Sequence, residues 1–162
     1  MQALEIYADG ASELKTVSID IGHYKSVDLS YAFYNAGLIE TSTKRLSIIF
    51  RNADNDIPRQ FSNAFSHCQN LDELPAVNCA HATGLNTAFD TCTSLKRLGF
   101  YNISTDIYLG DSTMMTRESL LEVLNNLATV TSDMMCALGE TNLAKLTDED
   151  KAIATNKGWT LA

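Results

Sequence analysis

Apolar positions recur along the chain at a fixed interval. Two stretches align without gaps: Phe61-Ser62-Asn63-Ala64-Phe65-Ser66-His67-Cys68-Gln69-Asn70-Leu71-Asp72-Glu73-Leu74 and Leu85-Asn86-Thr87-Ala88-Phe89-Asp90-Thr91-Cys92-Thr93-Ser94-Leu95-Lys96-Arg97-Leu98. They share Ala-Phe-x-x-Cys-x-x-Leu-x-x-Leu with a period of 24 residues. Two degenerate copies precede them. Ala32-Phe33-Tyr34-Asn35-Ala36-Gly37-Leu38 keeps Ala-Phe and places Ala36 where the others have cysteine; Ala11-Ser12-Glu13-Leu14-Lys15-Thr16-Val17-Ser18-Ile19 matches the second half. The anchor leucines are then Leu14, Leu38, Leu71 and Leu95. Their intervals are 24, 33 and 24, and the polar stretch Arg51 to Gln60 is the expected place of the longer spacing. One such unit cannot bury its own apolar face, but stacked units can. Phe65, Cys68, Leu71, Leu74, Phe89, Cys92, Leu95 and Leu98 are therefore the predicted core, with equivalent residues on top of one another. The Ser, Thr, Asn and Asp residues between them suit turns, where their side chains satisfy nearby backbone groups.

The pattern changes after Tyr108. Thr116 is a helix N-cap candidate with Glu118 in the first turn. Leu120, Val123, Leu124 and Leu127 then fall on one helical face. A second helix starts at Thr147 with Asp148, Glu149 and Asp150 in its first turn, and Lys157-Gly158 ends it. Met134 to Leu138 and Trp159-Thr160-Leu161 read as short strands, and Asn142 to Leu146 as a connection. This segment suits a cap over the exposed end of a stacked array. Domains of 1–108 (repeats, with an insertion near 51–60) and 109–162 (cap) follow.

Composition narrows the functions. The net charge is −8 with only 12 Lys and Arg, and no basic run, which argues against nucleic acid and anionic lipid as partners. No apolar stretch approaches the roughly 18 residues needed to span a bilayer. The N-terminus lacks the basic start and apolar core of a signal peptide, so no route out of the cytoplasm is expected. Cys68 and Cys92 occupy equivalent repeat positions, and no CxxC pair or histidine cluster accompanies Cys79 and Cys136; buried, reduced thiols are expected rather than a disulfide or metal set. The acids at 148–150 lack the alternation, glycine and terminal glutamate of a calcium loop. His23, His67 and His81 are the only histidines. No GxSxG, P-loop, GxGxxG or HExxH occurs, and His67 reads as a solvent-facing turn residue. Neither catalytic residues nor a cofactor or metal site are expected, and no ligand-binding residue is assigned.

The Ala-Phe-x-x-Cys-x-x-Leu-x-x-Leu unit resembles the BspA-type leucine-rich repeats of surface proteins from gut and oral bacteria and of proteins of their phages. The run from Thr116 through Leu127-Ala128 and Leu143-Ala144-Lys145-Leu146-Thr147-Asp148-Glu149-Asp150 to Lys157-Gly158-Trp159 is similar to the C-terminal cap of such proteins from Bacteroidales and their phages. The resemblance implies an α/β repeat fold: a short leucine-rich-repeat solenoid of about four units with an α+β C-terminal cap. It further implies a non-enzymatic binding or structural module. The expected setting is a phage virion, as a tail-fibre, receptor-binding or accessory protein; the alternatives are a bacterial cell-surface adhesion module and an intracellular protein-interaction module. Expected partners are other virion or surface proteins, met through the N-terminal end in a homo-oligomer or larger assembly, and a host-surface glycan or protein receptor.

Overall fold

The computed structural model describes residues 3–6, 8, 10–11, 14–36 and 46–162. In chain order its elements are β1 (Ala3–Glu5), β2 (Thr16–Asp20), β3 (Ser26–Asp28), β4 (Ser47–Arg51), β5 (Arg59–Gln60), β6 (Glu73–Asn78), β7 (Ala82–Thr83), β8 (Arg97–Tyr101), β9 (Ile107–Tyr108), α1 (Arg117–Asn126), β10 (Met134–Ala137), α2 (Gly139–Leu143), α3 (Asp148–Thr155) and β11 (Trp159–Leu161). Every strand pairing is parallel. β1-β3-β5-β7 form a four-stranded sheet, β11-β10-β9 a three-stranded one, and β2-β4 and β6-β8 a pair each. Parallel partners need a crossover. Up to β8, each crossover is one passage of the chain through the other row of strands, so a layer comprises one strand from each row and the turn between them.

The predicted α/β leucine-rich-repeat solenoid is not shown. Among the described residues the molecule is mixed: several small parallel sheets, with three short helices that all follow Tyr108. The repeated segments form turns rather than helices. In them Ala64 N bonds Phe61 O at 2.9 Å, Cys68 N bonds Phe65 O at 3.0 Å and Leu71 N bonds Cys68 O at 3.2 Å, each reaching back three residues. Left-handed residues at Asn63 (φ 54°) and His67 (φ 63°) stop these turns from propagating. The second row of strands is also broken. β4 and β6 lie side by side without a continuous ladder: the bridge Leu46↔Leu71 lies just before them and Asn78 N bonds Ala53 O at 2.8 Å at their far end, while the pairing of β6 with β8 bulges between Leu74 and Val77, where Pro75 has no N–H to give.

Strand register also moves the predicted insertion. Thr16 pairs with Ser47 and Val27 with Arg59, offsets of 31 and 32, whereas Arg59 pairs with Ala82 at 23 and Glu73 with Arg97 at 24. From Val27 to Ser47 is 20 residues, but from Arg59 to Glu73 only 14. The extra residues therefore lie between β3 and β4, not at 51–60. The expected anchor Leu38 lies outside the described residues, as do Ser12, Glu13 and Gly37. Leu46 is the residue that bridges to Leu71.

The repeated residues pack as the pattern predicts. Phe65, Cys68, Leu71, Leu74, Phe89, Cys92, Leu95 and Leu98 are all buried. The rings of Phe33, Phe65 and Phe89 stack at 5.8 Å between successive centroids, with interplanar angles of 4° and 6°. Phe50 and Phe100 meet Phe65 edge-on. The backbones of the turns are joined too, with Phe33 N on Ala64 O at 2.9 Å and Phe65 N on Ala88 O at 3.0 Å. Each repeat thiol reaches the layer before it: Cys68 Sγ–H donates to Phe33 O at 2.9 Å and Cys92 Sγ–H to Phe65 O at 3.0 Å. Cysteine at this position is thus a small apolar filler that also satisfies a buried carbonyl.

After β8 a helix stands where a strand would continue the second row. Ile103 bridges Leu127, and Ala128 N bonds Ile103 O at 2.8 Å. Thr116 caps α1 through Ser119 N, and Thr147 and Asp150 form a capping box on α3, as the sequence predicts. The predicted connection at Asn142 instead begins inside α2. Asn142, fully buried, donates to Leu109 O at 3.2 Å and Ser112 O at 3.3 Å, so an amide takes the role that thiols play in the repeats. Lys157 Nζ closes the C-terminus of α1 on the carbonyls of Leu124, Asn125 and Leu127 at 3.1, 2.6 and 2.8 Å. Trp159 Nε1 donates to Ala128 O at 2.7 Å. A single apolar cluster, with Leu4 and Leu161 packed against it, spans repeats and C-terminal segment alike.

Two outcomes follow from this packing. Leu71→Ala should lower unfolding stability by roughly 2–5 kcal/mol, measured by urea titration, because the layers on either side hold the cavity open; a loss below about 1 kcal/mol would mean the site collapses. The second concerns Asp150, which takes both Arg117 bonds at 2.7 Å and ties α3 to α1. The Arg117 side chain first, and the Thr147 backbone N–H second, hold its carboxyl below the ordinary aspartate value. The folded pKa is the lower one, so the contribution is complete above roughly pH 4 and is lost as pH falls through the folded value. Asp150→Asn should melt lower than the parent at pH 7, with the gap closing under acid. An unchanged gap at pH 2 would contradict the assignment.

Candidate functional site

The residues weighed for chemistry do not converge. His23 Nε2 lies 3.5 Å from Asp20 and His81 Nε2 lies 3.4 Å from Asp56, both at the surface. His67 lies in a turn, as the sequence predicts, but it is half-buried rather than solvent-facing: its Nδ1 shares a hydrogen bond with Ser66 Oγ at 2.8 Å, and its ring leans on Tyr34 at 5.2 Å. All four cysteines are free and buried. Burial pushes the thiols of Cys68, Cys79 and Cys136 up to about 12, and that of Cys92 upward as well. None is poised as a thiolate nucleophile. Asp148, Glu149 and Asp150 occupy the first turn of α3. Among the described residues, no group of three or more His, Cys, Asp or Glu side chains is placed to hold a metal ion.

The surface built for contact is the outer face of the four-stranded sheet. Alternation along a strand sends successive side chains to opposite faces. Val27, Arg59 and Ala82 point into the core, and their register neighbours Asp28, Gln60 and Thr83 line up outside. Glu5 extends the row on β1. A shallow groove of about 300 Å³ runs along this face, with Ser26, Pro58 and His81 on its other side. The row is pre-set by its own hydrogen bonds. Asp28 Oδ1 accepts from Ser30 N at 2.8 Å, Gln60 Nε2 donates to Ser62 Oγ at 3.1 Å, and Thr83 Oγ1 donates to Gln60 Oε1. Gly84 (φ 78°) makes this possible, since a Cβ there would meet Ser62 N at 2.4 Å.

Arg59 lies on the same strand, but its guanidinium is turned away from the groove onto backbone carbonyls. It is 2% exposed. Nη1 donates to Ile57 O at 3.2 Å and Asn78 O at 2.7 Å; Nη2 donates to Ala53 O at 3.2 Å, to Asn55 O at 2.9 Å and to Asn55 Oδ1. A guanidinium thus holds the 51–60 loop together from inside. Sequence reading assigned that loop no such centre; a lone arginine beside Pro58, between polar residues and an apolar run, was the only signal.

Next to the groove lies an aromatic corner. Tyr31 is 50% exposed and sits at φ 56°, a conformation that costs a bulky side chain of order 1–3 kcal/mol. Its ring meets Tyr34 at 5.8 Å, and Tyr34 meets His67. Ser62 joins corner and groove: its carbonyl accepts from Tyr31 N at 2.9 Å and its hydroxyl from Gln60. Two other surfaces are less suited. On the second row, Arg97 is spent on Glu122 at 2.9 and 2.7 Å, and Lys96 faces Asp72 at 3.5 Å. A cleft of about 280 Å³ beside Gly110 and Gly139 holds Asp90 and Asp111. The carboxyl of Asp90 is raised there by burial, then by the charge of Asp111.

Among the described residues, no helix is long and apolar enough to cross a membrane. Comparison of the chain with known protein families, with curated proteins and with solved structures finds no match in any of the three.

The thiols give a direct check on the burial described above. A water-soluble thiol reagent at pH 8 should leave all four cysteines unmodified in the native protein and label all four in denaturant. The unfolded thiols ionise near pH 8.5, below the folded values, so stability from this source is complete below about that pH and declines above it. Rapid native labelling of Cys68 or Cys92 would contradict the packing.

Proposed function

We propose that this chain is a non-enzymatic recognition and structural module. The observation that carries the reading is the polar row on the four-stranded sheet: side chains of consecutive layers, brought into register and held by hydrogen bonds to their neighbours. A rigid scaffold that repeats such a row presents a surface for binding. Its side chains are engaged with one another as hydrogen-bonding groups, with no nucleophile set against a base.

The setting we propose is a phage virion, as a tail-fibre, receptor-binding or accessory structural protein. This rests on the resemblance of the run from Thr116 to Trp159. The alternative is a bacterial cell-surface adhesion module, which the same resemblance supports; buried free thiols favour neither over an intracellular interaction module. Attachment through the N-terminal layer is part of the proposal. Leu4 is half-buried, while its register partner Val27 is 1% exposed, and Ile6 is likewise only partly covered. A neighbouring subunit, or a further copy of the chain, would complete that cover.

Mass spectrometry of purified phage particles and of washed cell envelopes from the source culture tests the setting. The chain is expected in the particles at a stoichiometry above one copy. Recovery in the envelopes alone would select the adhesion module. Recovery only in the soluble cytosol would overturn both readings.

A further inference from the structure

We infer that the groove on the four-stranded sheet, together with the Tyr31 corner, binds a neutral saccharide chain; this rests on the reading of the chain as a recognition module and names its ligand class.

The chemistry of the walls selects the ligand. Asp28 offers a carboxylate, Gln60 an amide, Thr83 and Ser26 hydroxyls, and His81 an imidazole. These groups both give and accept hydrogen bonds. Parallel strands repeat them roughly every 4.8 Å along the row. A polyhydroxylated chain laid across the strands meets this pattern with its own hydroxyls, which likewise donate and accept. An anionic ligand is disfavoured. Arg59, the one guanidinium on these strands, is turned inward onto carbonyl oxygens, and Asp28 adds negative charge. A protein partner would need a cluster of apolar anchors in a desolvated pocket; the outward side chains of the groove include one apolar residue, Pro58, and the Tyr31 ring stands half in solvent. A small apolar ligand would need an enclosed pocket, and this one is open along the sheet.

The corner supplies what the groove lacks. The C–H face of a sugar ring packs on an aromatic face, and Tyr31, whose backbone N–H bonds Ser62 O at 2.9 Å, carries a half-exposed ring in the turn that follows β3. A tyrosine is costly at φ 56°, and the equivalent place in the next layer is Asn63 (φ 54°), a residue that tolerates that conformation. The strain at Tyr31 is accounted for if its ring contacts a ligand.

The test is a glycan array followed by interferometry on the full chain, with neutral, acidic and amino oligosaccharides as probes and with folding of each variant checked by thermal melting. At least one neutral oligosaccharide of three or more units should bind, and its affinity should be insensitive to salt. Asp28→Ala and Gln60→Ala should each weaken binding by about tenfold, the loss expected for a removed hydrogen bond to a charged or fixed polar group. Tyr31→Asn should weaken it similarly while melting no lower than the parent, which separates a lost contact from a lost fold. Arg97→Ala, on the other row, should bind as the parent does. Absence of any neutral saccharide from the bound set, a preference for acidic or amino sugars, or retention of full affinity in the Asp28, Gln60 and Tyr31 variants would each overturn the inference. Finding the chain in virions or envelopes with no sugar bound would leave the recognition reading intact and remove only this ligand.

Discussion

The in-register stack of Phe33, Phe65 and Phe89 sets the position of everything else. Rings 5.8 Å apart and within 6° of parallel require that successive layers superpose residue on residue. Once they do, the turn backbones fall within hydrogen-bonding reach, and the thiols of Cys68 and Cys92 land on the carbonyls of Phe33 and Phe65. Offset aromatic contacts are worth about 0.5–1.5 kcal/mol each beyond the area they bury. Their larger effect is geometric. A slip of one residue would send each strand's apolar side chains to the solvent face. The strands themselves are too short, at two to six residues, to fix that register alone.

The same constraint builds the groove. No residue of the polar row was chosen by a local motif. Asp28, Gln60 and Thr83 come together because Val27, Arg59 and Ala82 must face inward, and the next residue on each strand must then face out. Arg59 is the exception that serves the pattern. It occupies an inward position as a cation, and the carbonyls of the 51–60 loop and of Asn78 take the place of an apolar neighbour.

The core residues were legible in the sequence because they repeat: Phe65 and Phe89, Cys68 and Cys92, Leu71 and Leu95 differ in nothing but layer. Helix starts at Thr116 and Thr147 were legible because a cap is a local hydrogen-bonding event. The fold class was not. Sequence periodicity records which residues are buried, while the backbone between them depends on left-handed turns at positions such as Asn63 and His67, whose side chains also suit other conformations. The insertion was misplaced because a polar stretch at 51–60 looked like surplus, whereas its polar side chains and backbone serve Arg59; the register alone locates the surplus between β3 and β4. The groove was illegible for a related reason. Its members are 32 and 23 residues apart and share no residue type, so only parallel pairing unites them.

A double-mutant cycle on Phe65 and Phe89 tests the central claim most directly, using leucine at each position and urea unfolding for all four proteins. Residues in contact within one packed array couple, and residues apart add. Stacked rings predict a coupling energy of roughly 0.5–1.5 kcal/mol, with the double variant losing less than the sum of the singles. Additivity within about 0.3 kcal/mol would place the two rings in separate environments and contradict the layered register.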